Sequence, residues 1–336
     1  MGNTKRELVI SAIAHKHIQP VPYEIDPTVP IAEKLCAYLN LEHSELFGWF
    51  GNCIEAASYR KGRYLENEVY EDPFGVKWDR SGVDKDIGII KEYILKEPEI
   101  GNYHVPEPNL DYVDELTAKM LNSGHDSYKL DKIGFSLFER AWSLRGFENF
   151  LSDLASEEIF VCELLDQILD YNMKIMDRAL TYDIDGFFFG DDYGQQHGML
   201  MSPATWRRLI KPRLAKMFEK AKLKGRTVAL HSCGNISAIL GDLIDIGLDI
   251  YQTVQPEIYG LEAVKENFGA HLTFWGGIST QQTLPYVTPD KLKEIVAYTI
   301  RILGKNGGYI AAPTHQVPPD VPVENVVALA EAFKNQ

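Results

Sequence analysis

The chain has 336 residues, of which 45% are hydrophobic and 24% are charged, as in a soluble globular protein with one large core. Its formal net charge of −14 argues against a non-specific nucleic-acid binder and against attraction to anionic membranes, since both need a basic surface. We find no signal-peptide pattern and no apolar run near the ~20 residues of a membrane span. Four widely spaced cysteines form no CxxC, so we expect a cytoplasmic protein in a reducing compartment.

The first 130 residues read as an irregular extension with few regular elements. Helices are predicted at Glu7–His15, Ile31–Asn40 and Val113–Asn122, where apolar residues recur at helical spacing. Val21–Tyr23 is a candidate first strand, and the Gly-, Tyr- and Trp-rich excursion at 41–105 contains a candidate hairpin near Tyr64–Trp78. Long excursions of this kind often cap the mouth of a barrel.

From residue 131 onward, short apolar runs alternate with longer helical patterns. The runs predict strands at Lys132–Leu137, Ile184–Phe189, Thr227–His231, Ile250–Val254, Leu272–Trp275 and Tyr309–Ala312. The intervening patterns predict helices at Glu157–Tyr182, Pro203–Leu223, Ile236–Ile246, Leu261–Asn267, Pro289–Leu303 and Val323–Lys334. With Val21–Tyr23 and one unlocated strand the count reaches about eight. The chain is therefore expected to be one domain over 1–336, an α/β TIM (β/α)8 barrel with 1–130 as an extension capping its mouth.

Polar side chains follow most of the predicted strands, where a barrel carries its site. They are Glu139, Asp191, Asp192, His231, Cys233, Gln255 and His315. Asp191 and Asp192 are adjacent, so at most one is expected to face the mouth if the strand continues. We assign candidate catalytic roles to Glu139, Asp191 and Asp192, and candidate substrate contacts to Tyr193, Gln255 and Trp275. For Glu139 a structural ion pair, and for Trp275 simple packing, are the alternatives.

The most specific pattern is His231-Ser232-Cys233-Gly234. Residues two apart on a strand point to the same side, so His231 and Cys233 can both face the barrel axis. Imidazole and thiolate are common zinc ligands, and catalytic zinc keeps three protein ligands with one open position. His315 is the preferred third ligand, with Glu139 or an Asp191/Asp192 carboxylate as alternatives. A nucleophilic cysteine with a nearby base is a further alternative.

Six motifs in this order resemble the uroporphyrinogen decarboxylase superfamily, most clearly over residues 131–336. They are Phe189–Gly194, Met201-Ser202-Pro203 with Ile210-Lys211-Pro212, His231–Gly234, Gln252–Pro256, Trp275–Gln281, and Pro313-Thr314-His315 with Pro319–Asn325. True decarboxylases of this superfamily carry an N-terminal arginine-rich motif for the substrate's carboxylates. The corresponding His15–Tyr23 has no arginine, which counts against a porphyrinogen substrate.

The His-x-Cys pattern instead resembles the cobalamin-dependent methyltransferases of this superfamily. That resemblance implies zinc held by His231, Cys233 and a distant third ligand. The thiol-methylating members use a cysteine near the C-terminus, where this chain has His315. The departure favours the O-demethylase-type enzymes, which the run Phe138–Ala141 with Leu144–Gly146 also resembles.

The expected activity is therefore methyl transfer from a methoxylated, aromatic O-methyl donor to the cobalt(I) of a corrinoid protein. Zinc would act as a Lewis acid on the ether oxygen. No DxHxxG corrinoid motif occurs in the chain, so a partner protein must supply the corrinoid. The alternatives are a decarboxylase, a methylcobamide:thiol methyltransferase, and a non-catalytic barrel. A homodimer is common in the superfamily.

Overall fold

A parallel sheet organises the chain in the computed structural model, which describes residues 2–59, 61–82 and 86–336. In spatial order its strands are Ile54–Ser58 (β1), Tyr128–Gly134 (β6), Gly186–Gly190 (β7), Thr227–His231 (β10), Ile250–Val254 (β11), Thr273–Ile278 (β12) and Tyr309–Pro313 (β13). Every neighbouring pair is parallel. Strands β10 and β11 have the predicted bounds, and β1 is the strand that the sequence left unlocated.

The segment around Tyr23 lies between β13 and β1 and completes the circle. Tyr23 forms an isolated parallel bridge with Ala311 of β13, and its carbonyl accepts a 2.9 Å hydrogen bond from the N–H of Cys53 beside β1. Pro22 has no N–H to donate, so a full ladder cannot form here. The predicted strand at Val21–Tyr23 is thus reduced to a bridge, while the predicted TIM-barrel fold is confirmed.

Helices surround the sheet, and none among the described residues is long and apolar enough to cross a membrane. They are Lys5–Ile13 (α1), Val29–Leu39 (α2), Leu46–Phe50 (α3), Leu110–Leu121 (α4), Phe138–Arg145 (α5), Phe147–Ser156 (α6), Glu158–Ala179 (α7), Pro203–Leu209 (α8), Lys211–Lys222 (α9), Ser237–Asp245 (α10), Pro256–Tyr259 (α11), Leu261–Phe268 (α12), Pro289–Leu303 (α13) and Val323–Lys334 (α14), with a 3₁₀ turn at His43–Glu45.

The predicted helix at Pro203–Leu223 is wrong in one respect, because it is two helices, α8 and α9. The break falls at Ile210, just before Lys211-Pro212 starts α9. A proline inside a helix removes one backbone hydrogen bond and its ring clashes with the preceding turn. At the first turn of a new helix the same residue costs little, so the chain restarts there.

Two small antiparallel sheets lie outside the barrel sheet. One consists of Arg63–Tyr64 (β2), Val69–Glu71 (β3), Lys77–Asp79 (β4) and Ile89–Ile90 (β5), and the other of Gly194–Gln195 (β8) and Gly198–Met199 (β9). The predicted hairpin near Tyr64–Trp78 is therefore present as part of a larger sheet. A buried ion pair fixes this sheet to the barrel, because Arg140 of α5 donates a 2.5 Å hydrogen bond to Asp72.

Helix α1 closes the end of the barrel at which the strands begin. Its buried Leu8, Val9 and Ala12 join an apolar cluster with barrel residues that include Phe188 and Trp275. The Ala12 carbonyl accepts a 3.1 Å hydrogen bond from the N–H of Gly308, just before β13. The open end of the barrel is therefore the one where the strands finish.

Asp131 gives the fold a specific pH dependence. It is fully buried on β6, 3.4 Å from the Thr117 hydroxyl of α4, which in turn hydrogen-bonds Tyr59 at 2.7 Å. Burial raises the pKa of Asp131 to about 7, so between pH ~4 and ~7 the folded chain holds a proton that the unfolded chain has lost. This group therefore makes the fold less stable as pH rises through that window, and the full cost applies above pH ~7.

Replacing Asp131 with Asn should remove that cost. We expect Asp131→Asn to raise the midpoint of thermal unfolding by a few degrees more at pH 8 than at pH 5, followed by circular dichroism. An equal shift at both pH values would show that Asp131 ionises normally in the fold.

Candidate metal centre and the cavity around it

A cavity of about 750 Å³ opens at the end of the barrel where the strands finish. Five of the nine residues predicted for the site line it: Glu139, Asp192, His231, Trp275 and His315. This volume is in the range of small-molecule binding sites. The cavity is therefore the candidate functional site.

His231, Cys233 and His315 come together at this cavity. His231 ends β10, Cys233 follows two residues later, and His315 follows β13. Their potential ligand atoms, the histidine ring nitrogens and the Cys233 Sγ, all lie within 4.8 Å of one another. Sγ is 3.5 Å from His231 Nε2, and the two histidine ring centroids are 5.3 Å apart. The three residues predicted as metal ligands thus form one cluster.

Gln252 orients the ring of His231. The two residues are direct partners in the pairing of β10 with β11, and the Gln252 side-chain oxygen contacts His231 Nδ1. An acceptor at Nδ1 places the proton there, so the lone pair of the ring is on Nε2, the nitrogen on the side of Cys233. Metal-bound histidines usually have such a second hydrogen bond.

The contact between Gln252 and His231 leads to a prediction. Gln252→Leu should weaken zinc binding by about 10–100-fold, because the imidazole loses the partner that fixes its tautomer. Competition with a chromogenic chelator measures this change. Gln252→Glu keeps an acceptor oxygen at the same place and is the matched control, for which we expect affinity close to that of the original protein. Equal losses in both variants would contradict the orienting role.

The electrostatics of the cluster suit a cation. Burial, together with Asp192 and Glu139, raises the pKa of the Cys233 thiol. Asp192 Oδ1 accepts a 2.7 Å hydrogen bond from the Cys233 N–H and lies 3.5 Å from His231 Nε2. A divalent cation would stabilise this thiolate and offset the nearby carboxylates.

His315 adds the third donor in the protonation state that a metal needs. Its ring is exposed to the cavity, and the protein around it together with the neighbouring His231 lowers its pKa. The ring is therefore neutral near pH 7, with a lone pair available. Two imidazoles and a thiol are a zinc-type donor set, so the residues present fit this metal.

Asp191 and Asp192 have different environments, as the sequence anticipated. Asp192 lines the cavity, whereas Asp191 is fully buried. Asp191 accepts hydrogen bonds from the N–H groups of Leu137, Phe138 and Glu139 at 2.7–3.1 Å. Burial raises the pKa of Asp191 to about 6, although the amide donors act in the opposite direction. Asp191 thus holds the start of α5, the helix that presents Glu139 to the cavity.

Tyr193 and Gln255, two of the predicted substrate contacts, have internal partners. The Tyr193 hydroxyl donates to Asp191 at 2.9 Å, and the Gln255 side-chain oxygen accepts from the Gly234 N–H at 2.8 Å. Both side chains are buried. Trp275, the third predicted contact, lines the cavity and packs on Phe188 at a ring-centroid distance of 4.8 Å.

The loops that carry Asp192 and Cys233 touch through glycines. A Cβ on Gly234 would lie 2.3 Å from the Gly194 carbonyl carbon, and Gly234 has a φ of +78°. A Cβ on Gly194 would lie 2.7 Å from the N of Asn235. Only glycine allows this approach and this backbone conformation without strain. The contact fixes the two loops relative to each other.

Polar residues of the cavity wall that were not predicted from the sequence include Glu24, Asp26, Lys132 and Gln252. Glu24 and Asp26 directly follow the predicted strand Val21–Tyr23, so the strand-end rule applied there would have selected them. Lys132 was placed at the start of a predicted strand, but β6 begins four residues earlier. Gln252 begins the motif Gln252–Pro256, but the sequence does not show which of its side chains face the cavity.

Comparison with known proteins agrees with the sequence motifs. The family model described as Uroporphyrinogen decarboxylase (URO-D) matches residues 84–336. Two curated relatives, both methylcobamide:CoM methyltransferase MtaA of Methanosarcina barkeri (one from strain Fusaro), are 33% identical over 133 residues. That stretch is 40% of this chain and spans only 37% of those relatives. A methyltransferase from Methanosarcina mazei shares the fold, with a TM-score of 0.76, 18% identity and 99% of each chain covered.

Proposed function

We propose, from the premise that the chain belongs to the uroporphyrinogen decarboxylase family, that it is a zinc-dependent, corrinoid-linked methyltransferase. It takes the methyl group of a methoxylated small molecule, an aromatic O-methyl donor, and passes it to the cobalt of a corrinoid protein. The observation that carries the proposal is the cluster of His231, Cys233 and His315, whose donor atoms lie within 4.8 Å of one another at the cavity.

The relatives support methyl transfer as the reaction. Both curated relatives are methyltransferases that act with methylcobamide. This chain contains no DxHxxG motif, and we propose that a partner protein carries the corrinoid and docks at the open end of the barrel.

Residues of the cavity have complementary roles in this reaction. Zinc, when bound by the cluster, supplies Lewis-acid stabilisation of the oxygen that loses its methyl group. Glu139 and Asp192 lie at the same cavity and can move a proton to that oxygen as the product leaves. Phe188 and Trp275 form an apolar floor on which a methoxylated ring can stack.

A second candidate is methyl transfer from methylcobamide to a thiol, which the names of the curated relatives favour. In thiol-activating sites the metal binds the substrate sulfur and lowers its pKa. The cavity cluster could bind either an ether oxygen or a thiolate. His315, in place of the cysteine of the thiol-methylating enzymes, favours the methoxy donor.

Metal analysis combined with a donor screen tests the proposal. We expect about one zinc per chain in purified protein. Mixed with reduced corrinoid protein and a panel of methoxylated aromatics, the protein should convert the cobalt(I) spectrum to that of methylcobalt(III). The thiol reaction would instead convert methylcobalt to cobalt(I) on addition of thiols. Absence of stoichiometric zinc, or no spectral change in either direction, would refute the proposed function.

A further inference from the structure

Strand β11 is irregular where it passes the metal cluster. In its pairing with β12, Gln252 lies opposite Trp275 and Val254 lies opposite Gly276, so β11 advances by two residues where β12 advances by one. The extra residue is Thr253. An irregularity of this kind, a β-bulge, changes the direction in which side chains leave the strand, and bulges are common beside active sites.

The residues around the bulge show which way it faces. Tyr251 and Val254 both belong to the cluster that contains the buried apolar residues of α9 and α10, so both point toward the helices. A regular strand places one residue between two that face the same way, whereas here Gln252 and Thr253 lie between them. Gln252 lines the cavity, and the extra residue allows Thr253 to point toward the barrel interior as well.

The hydroxyl of Thr253 is within reach of the sulfur of Cys233. Thr253 is fully buried, and its Oγ1 has no nitrogen or oxygen partner among the residues that the structure describes. Burial and Asp192 raise the pKa of the Cys233 thiol, whereas a hydrogen bond from Thr253 acts in the opposite direction. Because buried hydroxyl groups usually have a partner, the Cys233 sulfur is the acceptor for this one.

The contact between Thr253 and Cys233 gains strength when a metal is bound. A cysteine that coordinates a metal has lost its proton, so its sulfur carries negative charge and can only accept hydrogen bonds. A hydrogen bond to a charged acceptor is roughly twice as strong as one between neutral groups. The buried hydroxyl is therefore better satisfied in the metal-bound protein than in the metal-free one.

We propose that Thr253 is a positioning residue of the metal centre and donates a hydrogen bond to the Cys233 sulfur. Gln252, the other residue of the bulge, contacts His231 Nδ1. One bulge in β11 thus supplies a second partner to two of the three metal ligands, which fixes their orientation and adjusts how strongly they donate electrons to the metal. The inference rests on the zinc centre of the proposed function, but not on the identity of the methyl donor.

Three substitutions of Thr253 test the hydrogen bond. Thr253→Val keeps the shape of the side chain without the hydroxyl and should weaken zinc binding by about tenfold, measured by competition with a chromogenic chelator. Thr253→Ser keeps the hydroxyl and should bind zinc within about twofold of the original protein. Thr253→Ala removes the same hydroxyl with a smaller side chain, so it carries the test if the valine variant does not fold.

Thr299 provides the matched control. It is a buried threonine of α13, and its hydroxyl also lacks a hydrogen-bond partner within the described part of the chain. Thr299→Val should leave zinc affinity unchanged, and thermal melts verify that each variant is folded. This control separates loss of the hydrogen bond to sulfur from the general effect of replacing a buried hydroxyl.

Cobalt(II) in place of zinc shows which ligand each residue acts on. A cobalt–thiolate bond gives a charge-transfer band in the near ultraviolet, and the energy of this band falls when the sulfur loses a hydrogen bond, because its lone pairs rise in energy. We expect Thr253→Val and Thr253→Ala to move the band to longer wavelength, and Thr253→Ser to keep it in place. Gln252→Leu acts on the imidazole, so it should weaken binding without moving the band.

Distinct outcomes separate this inference from the proposed function. An unmoved band in Thr253→Val and Thr253→Ala, with zinc affinity equal to that of Thr299→Val, would overturn the role of Thr253 and leave the metal centre standing. No cobalt–thiolate band in the original protein would refute the metal centre and this inference together. A shifted band in a protein that transfers no methyl group from any donor would sustain the hydrogen bond and refute the methyltransferase reaction alone.

Discussion

The double substitution His231→Ala, Cys233→Ala should abolish zinc binding while the barrel stays folded. It removes two of the three clustered donors, and one remaining imidazole cannot hold the metal against solvent. His231 lines the cavity, and neither His231 nor Cys233 is part of the apolar core clusters. We therefore expect circular dichroism and the cooperative thermal transition to be retained. Methyl transfer should fall by at least about 10²–10³-fold, the usual effect of losing a main electrostatic stabiliser.

Cys36 and Cys162 provide the control for this prediction. Both are free cysteines that pack partly buried against the core on α2 and α7. Cys36→Ala, Cys162→Ala should keep one zinc per chain by plasma mass spectrometry. Full retention of zinc in the His231, Cys233 variant would place the metal elsewhere.

Replacing Asp191 with Ala should be the most destabilising single change at the site. The Asp191 carboxylate accepts three backbone N–H groups at the start of α5 and the Tyr193 hydroxyl, all in a buried setting. Removing it leaves these donors without an acceptor, at a cost of about 3–5 kcal/mol in the free energy of unfolding. Urea denaturation followed by tryptophan fluorescence measures this cost.

The variant Asp192→Ala is the control that distinguishes an effect on stability from an effect on zinc binding and turnover. Asp192 is partly exposed to the cavity and accepts one backbone hydrogen bond, from Cys233. We expect it to cost only about 1 kcal/mol of stability, with a larger effect on zinc affinity and turnover. Similar losses of stability in Asp191→Ala and Asp192→Ala would contradict the different roles that we assign to the two neighbours.

The parts of the fold with strong local patterns could be predicted from the sequence. Helices α13 and α14 have the predicted bounds because each begins next to a proline and carries a regular apolar stripe. Strands β10 and β11 also have the bounds that the sequence predicts, since each is a short apolar run between turn residues. The strand-end rule then placed His231, Cys233 and His315 at one end of the barrel, and the structure brings them into one cluster.

Other features depend on contacts between distant segments and could not be predicted. Helix α5 is buried on nearly every side, so it has no clear polar face for a periodicity argument. The different environments of Asp191 and Asp192 depend on which of them meets the first N–H groups of that helix. Tyr193 and Gln255 looked like cavity residues because they follow strands, but the loops turn them toward internal partners.

The glycine contact between the loops after β7 and β10 also bears on how new specificities could be engineered on this scaffold. Gly194 and Gly234 leave no space for a larger residue, so randomised libraries there would consist mostly of misfolded members. Residues 24–26 and several residues between 43 and 58 line the same cavity and belong to neither of these two loops. Diversity introduced at those positions would change substrate scope and leave the catalytic geometry intact.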